Sequence, residues 1–191
     1  MQFSQVIGQK EIKSQLAHMI QHNRLSHALL FLGKEGSGAL PLAIAFANYL
    51  CLPKNNKQPS KKVEAGLFGD EPSSIPETAA LPVTPAEIDE WMQQQPGWSK
   101  LKDMVHPDIH FSYPVIARKP GDKPISTDFI KDWRTFIKTN PYGNVYDWLQ
   151  FIGAENKQGN ITALECADII RKMSLKSFES EYKILILWMP E

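Results

Sequence analysis

The sequence predicts an α/β fold, a parallel sheet with helices on its faces. Three observations carry that expectation. A glycine-rich turn, Gly33 to Gly38, lies between a short apolar run and a helical pattern. Near the end, "YKILILWMPE" contains an apolar run of strand length, as expected for a buried parallel strand. Between the two, strand-like and helix-like patterns alternate.

The elements follow in order. A first helix is expected from about Gln9 to His22, with Ile12, Leu16, Met19 and Ile20 on one face. Ala28 to Leu32 form the strand ahead of the glycine turn. A helix then continues from Pro41 to Leu50, with Leu42, Phe46, Tyr49 and Leu50 at helical spacing. Pro41 suits its first turn, where a missing N–H costs nothing. From Leu52 to about Leu81 the chain shifts to Lys, Pro, Ser, Asn and Glu, the composition of a long loop or a partly disordered excursion.

Thr84, with Pro85 after it and Glu87 three residues on, forms a capping box for a short helix carrying Ile88, Trp91 and Met92. Ile109, Phe111, Tyr113 and Val115 alternate with other residues as a strand does, and Pro114 confines that strand to a sheet edge. Ser126 or Thr127 caps the next helix, Asp128 suits its positive end, and Phe129, Trp133, Phe136 and Ile137 share a face. After the turn "TNPYGNVYDW", an apolar pattern resumes from Tyr146 to Ile152. Thr162 and Glu165 then form a second capping box.

Composition excludes several classes. The 21 basic and 21 acidic residues cancel, so no global field draws the chain to nucleic acid. Cys51 and Cys166 are too few for a disulfide framework, which suits a cytoplasmic protein. No apolar run reaches the roughly 18 residues needed to cross a membrane. His18 with His22, and His106 with His110, have no third ligand at zinc-like spacing and read as surface, loop or strand residues.

The glycine turn is the one motif with chemistry in it. A phosphate-binding loop runs Gly, four residues, Gly, Lys, then Ser or Thr, between a buried strand and a helix. Gly33 and Gly38 stand at that spacing, with Gly36 and Ser37 between them. Ala39, however, occupies the lysine position, and Leu40 the position of the magnesium-binding hydroxyl. A charge-assisted hydrogen bond contributes about 1.5–3 kcal/mol, so the two losses together cost roughly 3–6 kcal/mol of phosphate binding. What remains is backbone N–H at a helix start, a weak anion site. An active ATPase would have to recruit its cation elsewhere, with Lys34 the nearest candidate.

"FSQVIGQKEIKSQLAHMI", "RLSHALLFLGKEGSG", "HPDIHF", "ISTDFIKDWRTFI" and "SEYKILILWMPE" occur in an order and spacing that resemble the AAA+ clamp-loader subunits of bacterial DNA polymerase III. The likeness is strongest to the delta prime type, in a Bacteroidetes-like form, and weakest from Leu52 to Val105. It implies an AAA+ P-loop-type parallel sheet with flanking helices and no catalysis, since such subunits carry a degenerate loop (here Gly33, Gly36, Ser37, Gly38, Ala39 and Leu40). A second lesion agrees: where ATPases of this class place Asp and Glu after an apolar strand, Leu187 is followed by Trp188 and Met189, with Glu191 a poor substitute.

The resemblance also implies gamma/tau and delta clamp-loader subunits as partners, and primer–template DNA reached through the complex. It implies no bound cofactor beyond weak phosphate or nucleotide. The family's four-cysteine zinc module is expected to be replaced by an insertion at 52–105, leaving no structural zinc. "NPYGNVYDWLQFIGAENKQGNI" is a further insertion, across 140–161. Residues 1–191 read as a truncated AAA+ domain ending after its second nucleotide element, without the lid and collar domains. In the family's strand order the next strand lies between the glycine-turn strand and "KILILW", so a gap is expected in the sheet.

Overall fold

The computed structural model describes residues 1–52, 82 and 84–190. The excursion expected from Leu52 to Leu81 lies, beyond Leu52 itself, outside the described residues, as does Glu191.

Helix α1 (Lys10–Gln21) follows a 3-10 turn at Phe3–Gln5, and α2 spans Ala39–Cys51. Helix α2 is apolar around its whole circumference, and only Ala39, Ala43 and Leu50 escape full burial. Such a helix needs packing on two sides, and it has it. Leu40, Ile44 and Ala47 face an aromatic cluster. Leu42, Ala45, Phe46, Tyr49 and Cys51 face a second cluster with Phe3, Leu16 and Ile20. Burial pushes the Tyr49 phenol up to about 12.

Helix α3 (Pro85–Gln94) closes that second cluster with Ile88 and Met92. Its capping box forms as expected, Thr84 Oγ1 accepting from Glu87 N and the Glu87 carboxylate from Thr84 N. Buried Asp89 accepts the N–H groups of Phe3 and Ser4 at 2.9 and 2.7 Å, which ties the N-terminus to α3. A short helix, α4 (Trp98–Lys102), follows.

Strand β1 (Ile109–Ser112) runs parallel to β2 (Ile184–Leu187), with Ile109 opposite Ile184 and Ser112 opposite Leu187. Two expectations need correction here. Residues 28–32 form no strand pairing among the described residues, and Leu30 and Leu32 are 86% and 87% exposed. A strand exists only beside a neighbour that takes its N–H and C=O groups, and the described sheet has just β1 and β2. For the same reason β2 is not buried on both faces, and Leu187 is 47% exposed.

The first cluster is built on aromatic rings. Trp133, in α5 (Ile130–Thr139), stacks on Tyr113 with centroids 3.9 Å apart. Trp148, in α6 (Val145–Phe151), stands edge-on to both, and Trp188 lies 5.2 Å from Trp133. Each such pair adds about 0.5–1.5 kcal/mol to the area buried. The α5 entry differs from the expected cap. Ser126–Phe129 form a 3-10 turn, Asp128 accepts Ile125 N, and Ser126 is buried, exchanging hydrogen bonds with Tyr113.

Helix α7 (Ala163–Met173) turns its charge inward. Thr162 accepts Glu165 N, but the buried Glu165 carboxylate accepts Ser126 N at 2.7 Å, so only half of the expected box forms. Asp168 pairs with Arg171 and Lys172. The outer face is apolar: Leu164, Ile170 and Met173 are exposed, as are Leu175 and Phe178 beyond the helix.

Asp108, fully buried before β1, accepts the N–H groups of Phe178, Glu179 and Ser180 at 2.6, 2.7 and 2.9 Å. Burial pushes its carboxyl up, but these N–H groups outweigh that and hold it below its ordinary 3.8. Burial also holds neighbouring His106 below its ordinary 6.5, against the pull of Asp108 and Glu179. Both groups take up protons less readily folded than unfolded, so stability falls as pH drops. The first loss begins below about 6.5 with His106 and the second below about 4 with Asp108. Urea midpoints measured from pH 8 to 3 should show the second stage weakened in Asp108→Asn, and an unchanged acid limb there contradicts the assignment.

Candidate functional site

The glycine turn has the backbone of a cradle. Gly36 and Gly38 hold φ of 72° and 89°, in the left-handed region that favours glycine. A side chain at Gly33 would meet Ser37 Oγ at 2.3 Å. Ser37 N donates to Lys34 O at 3.0 Å, and Leu42 N donates to Gly38 O at 3.0 Å as α2 begins. The N–H groups of the first helical turn have no intrahelical acceptor and sit at the positive end of the helix dipole.

The side chains do not complete it. Gly33, Gly36, Ser37 and Gly38 lie in the turn, and Ala39, half-buried, is the first residue of α2. Leu40 is 8% exposed and belongs to the aromatic cluster. At the other half of the expected site, Trp188 is 7% exposed in the same cluster, its ring tilted against those of Trp133 and Phe136. Thus the two positions that would present metal-binding groups hold apolar side chains of one core. Lys34 and Glu35 are exposed on the turn.

Two residues that sequence reasoning did not single out reach the turn from the α5–α6 connection. Tyr142 Oη accepts Ile7 N–H at 2.7 Å, and its ring is the nearest neighbour of Gly38, 3.0 Å from where a Cβ would stand. Asn144 Nδ2 donates to Glu35 Oε2 at 3.1 Å. Gln9 Nε2 donates to Ser37 O at 3.3 Å. No spacing signal links residue 142 to residues 7 and 38, because the contact is made only by folding.

The histidines fall as follows. His18 and His22 are exposed, one turn apart, and His22 Nδ1 lies 2.9 Å from His18 O. His106 lies in the loop ahead of β1, as expected, and is buried, its Nδ1 accepting Asp108 N at 3.2 Å. Among the described residues no group of three or more His, Cys, Asp or Glu side chains is placed to hold a metal, and no helix is long and apolar enough to cross a membrane.

The two left-handed glycines separate conformation from contact. At Gly36 nothing stands within 4 Å of an added Cβ, so Gly36→Ala should cost only the left-handed backbone, about 1–2 kcal/mol. Gly38→Ala adds a collision with Tyr142 and should cost about 1 kcal/mol more. Urea unfolding of both variants checks this, with equal losses contradicting the packing of Tyr142 on Gly38.

Residues 8–73, about a third of the chain, match the family described as DNA polymerase III, delta subunit. No curated protein and no solved structure gives a significant match. The matched stretch contains α1, the glycine turn and α2. The likeness to that family therefore rests on this N-terminal stretch.

Proposed function

We propose that this chain is a non-catalytic clamp-loader subunit of the delta prime kind, a passive member of the assembly that loads the sliding clamp onto primed DNA. One observation carries the reading: Leu40 and Trp188, at the two positions where an ATPase of this class grips magnesium, are buried together in one aromatic core. Apolar side chains there offer no ligand to a metal, and Ala39 offers no cation to a phosphate. The chain therefore needs no nucleotide, metal or other cofactor of its own, and ATP hydrolysis falls to gamma or tau partners. The enzyme alternative rests on Lys34, which lies exposed within the turn rather than at the helix start.

The outward apolar face of α7 supports an assembled role. Leu164, Ile170, Met173, Leu175 and Phe178 are exposed together along one helix and the loop after it, at 46%, 69%, 37%, 61% and 80%. Large apolar side chains exposed within one short segment are a feature of protein–protein contact surfaces. The gamma/tau and delta subunits are the expected partners, with DNA reached only through the complex, in the cytoplasm.

Co-purification of the full chain with gamma/tau and delta subunits from the same source tests the reading. The unaltered chain should be retained in a stoichiometric complex. Leu175→Asp/Phe178→Asp, both fully outside the core, should weaken retention at least tenfold with an unchanged urea midpoint. Failure of the unaltered chain to associate with any of these subunits would sink the proposal.

A further inference from the structure

The α5–α6 connection, residues 140–144, is the start of the stretch that the family resemblance implies is an insertion, and its placement suggests what that stretch does. Its turn is fixed from behind: Asn140 N donates to Phe136 O at 2.7 Å, and Gly143 N to Asn140 O at 3.1 Å. A side chain at Gly143 would meet Phe136 Cζ at 2.7 Å, so only glycine lets the turn lie this close to α5. From the other side Asn144 caps α6, accepting Asp147 N at 2.9 Å. Tyr142 and Asn144 are thus presented by a segment anchored to two helices.

Both reach the glycine turn and its approach. The Tyr142 ring covers Gly38 beside Val6, its Oη takes the Ile7 N–H, and Asn144 holds the Glu35 carboxylate of the turn itself. The partners lie 135 and 109 residues apart in sequence, so three separate segments, 6–9, 33–38 and 140–144, converge on one place. We infer that this strap is a built-in occupant of the cradle: Tyr142 fills one side of its mouth and satisfies its approach segment, while Asn144 fixes Glu35 on its rim. The turn then holds its shape with no ligand, and an incoming triphosphate meets a ring on one side and a carboxylate on the rim. This inference goes beyond the passive-subunit reading, because a vacant degenerate loop would serve that reading equally well.

The strap closes by contact rather than by missing charge, and the two obstacles can be removed separately. Titration of the full chain with magnesium ATP, followed by calorimetry, would compare Ala39→Lys with Ala39→Lys/Tyr142→Ala. With the cation restored in both, the double variant should bind at least tenfold tighter. Equal affinities would overturn the inference. Hydrogen exchange at the Ile7 amide provides a readout independent of ATP: Tyr142→Phe should speed it at least tenfold while the urea midpoint moves little. Unchanged exchange at Ile7 would equally overturn it. Neither result bears on association with gamma/tau or delta subunits, so the strap and the assembly role fail separately.

Discussion

The constraint on which the structure depends is the burial of α2. Its sequence, "ALPLAIAFANYLC", offers no polar face, so it can exist as a helix only with apolar partners on both sides. One side recruits the N-terminal segment, α1 and α3, and the other recruits the tryptophans and Tyr113. The two clusters meet through this helix, and Met1, Ile109 and Ile184 also pack against both. Even its lone buried amide obeys the rule that buried polar groups are paired, since Asn48 Nδ2 donates to Met1 O at 2.8 Å.

That constraint explains a turn shaped for phosphate without the groups that grip it. Helix α2 must start at Ala39, and Gly38, at φ 89°, is the residue that lets the chain enter it. The glycine turn is therefore retained by packing whether or not a ligand visits. The position after Ala39 joins the core through Leu40. Trp188 does likewise just after β2, its backbone N–H donating to Ser112 O at 2.9 Å while its indole packs on Trp133. Leu40 and Trp188 thus belong to one buried cluster.

The helices were legible because their signals are local. The spacing of Leu16 and Ile20, the Thr84–Glu87 box and the face shared by Trp133, Phe136 and Ile137 all depend on neighbours within a turn or two. The failures are non-local. Residues 28–32 have strand composition, but a strand is made by its partner, and among the described residues the sheet is made by β1 and β2 alone. Glu165 has the right spacing to close a box with Thr162, yet a buried N–H at Ser126 competes for its carboxylate and wins. The glycine turn was readable residue by residue, since its left-handed positions fall on Gly36 and Gly38. Its cover was not, because nothing near Tyr142 in sequence announces Ile7 or Gly38.

The central claim is that core packing, not ligand binding, maintains this site. Calorimetric titration of the unaltered full chain with magnesium ATP tests it most directly. The account expects no saturable heat up to roughly millimolar nucleotide, an affinity weaker than about −4 kcal/mol. Micromolar binding accompanied by release of inorganic phosphate would contradict it.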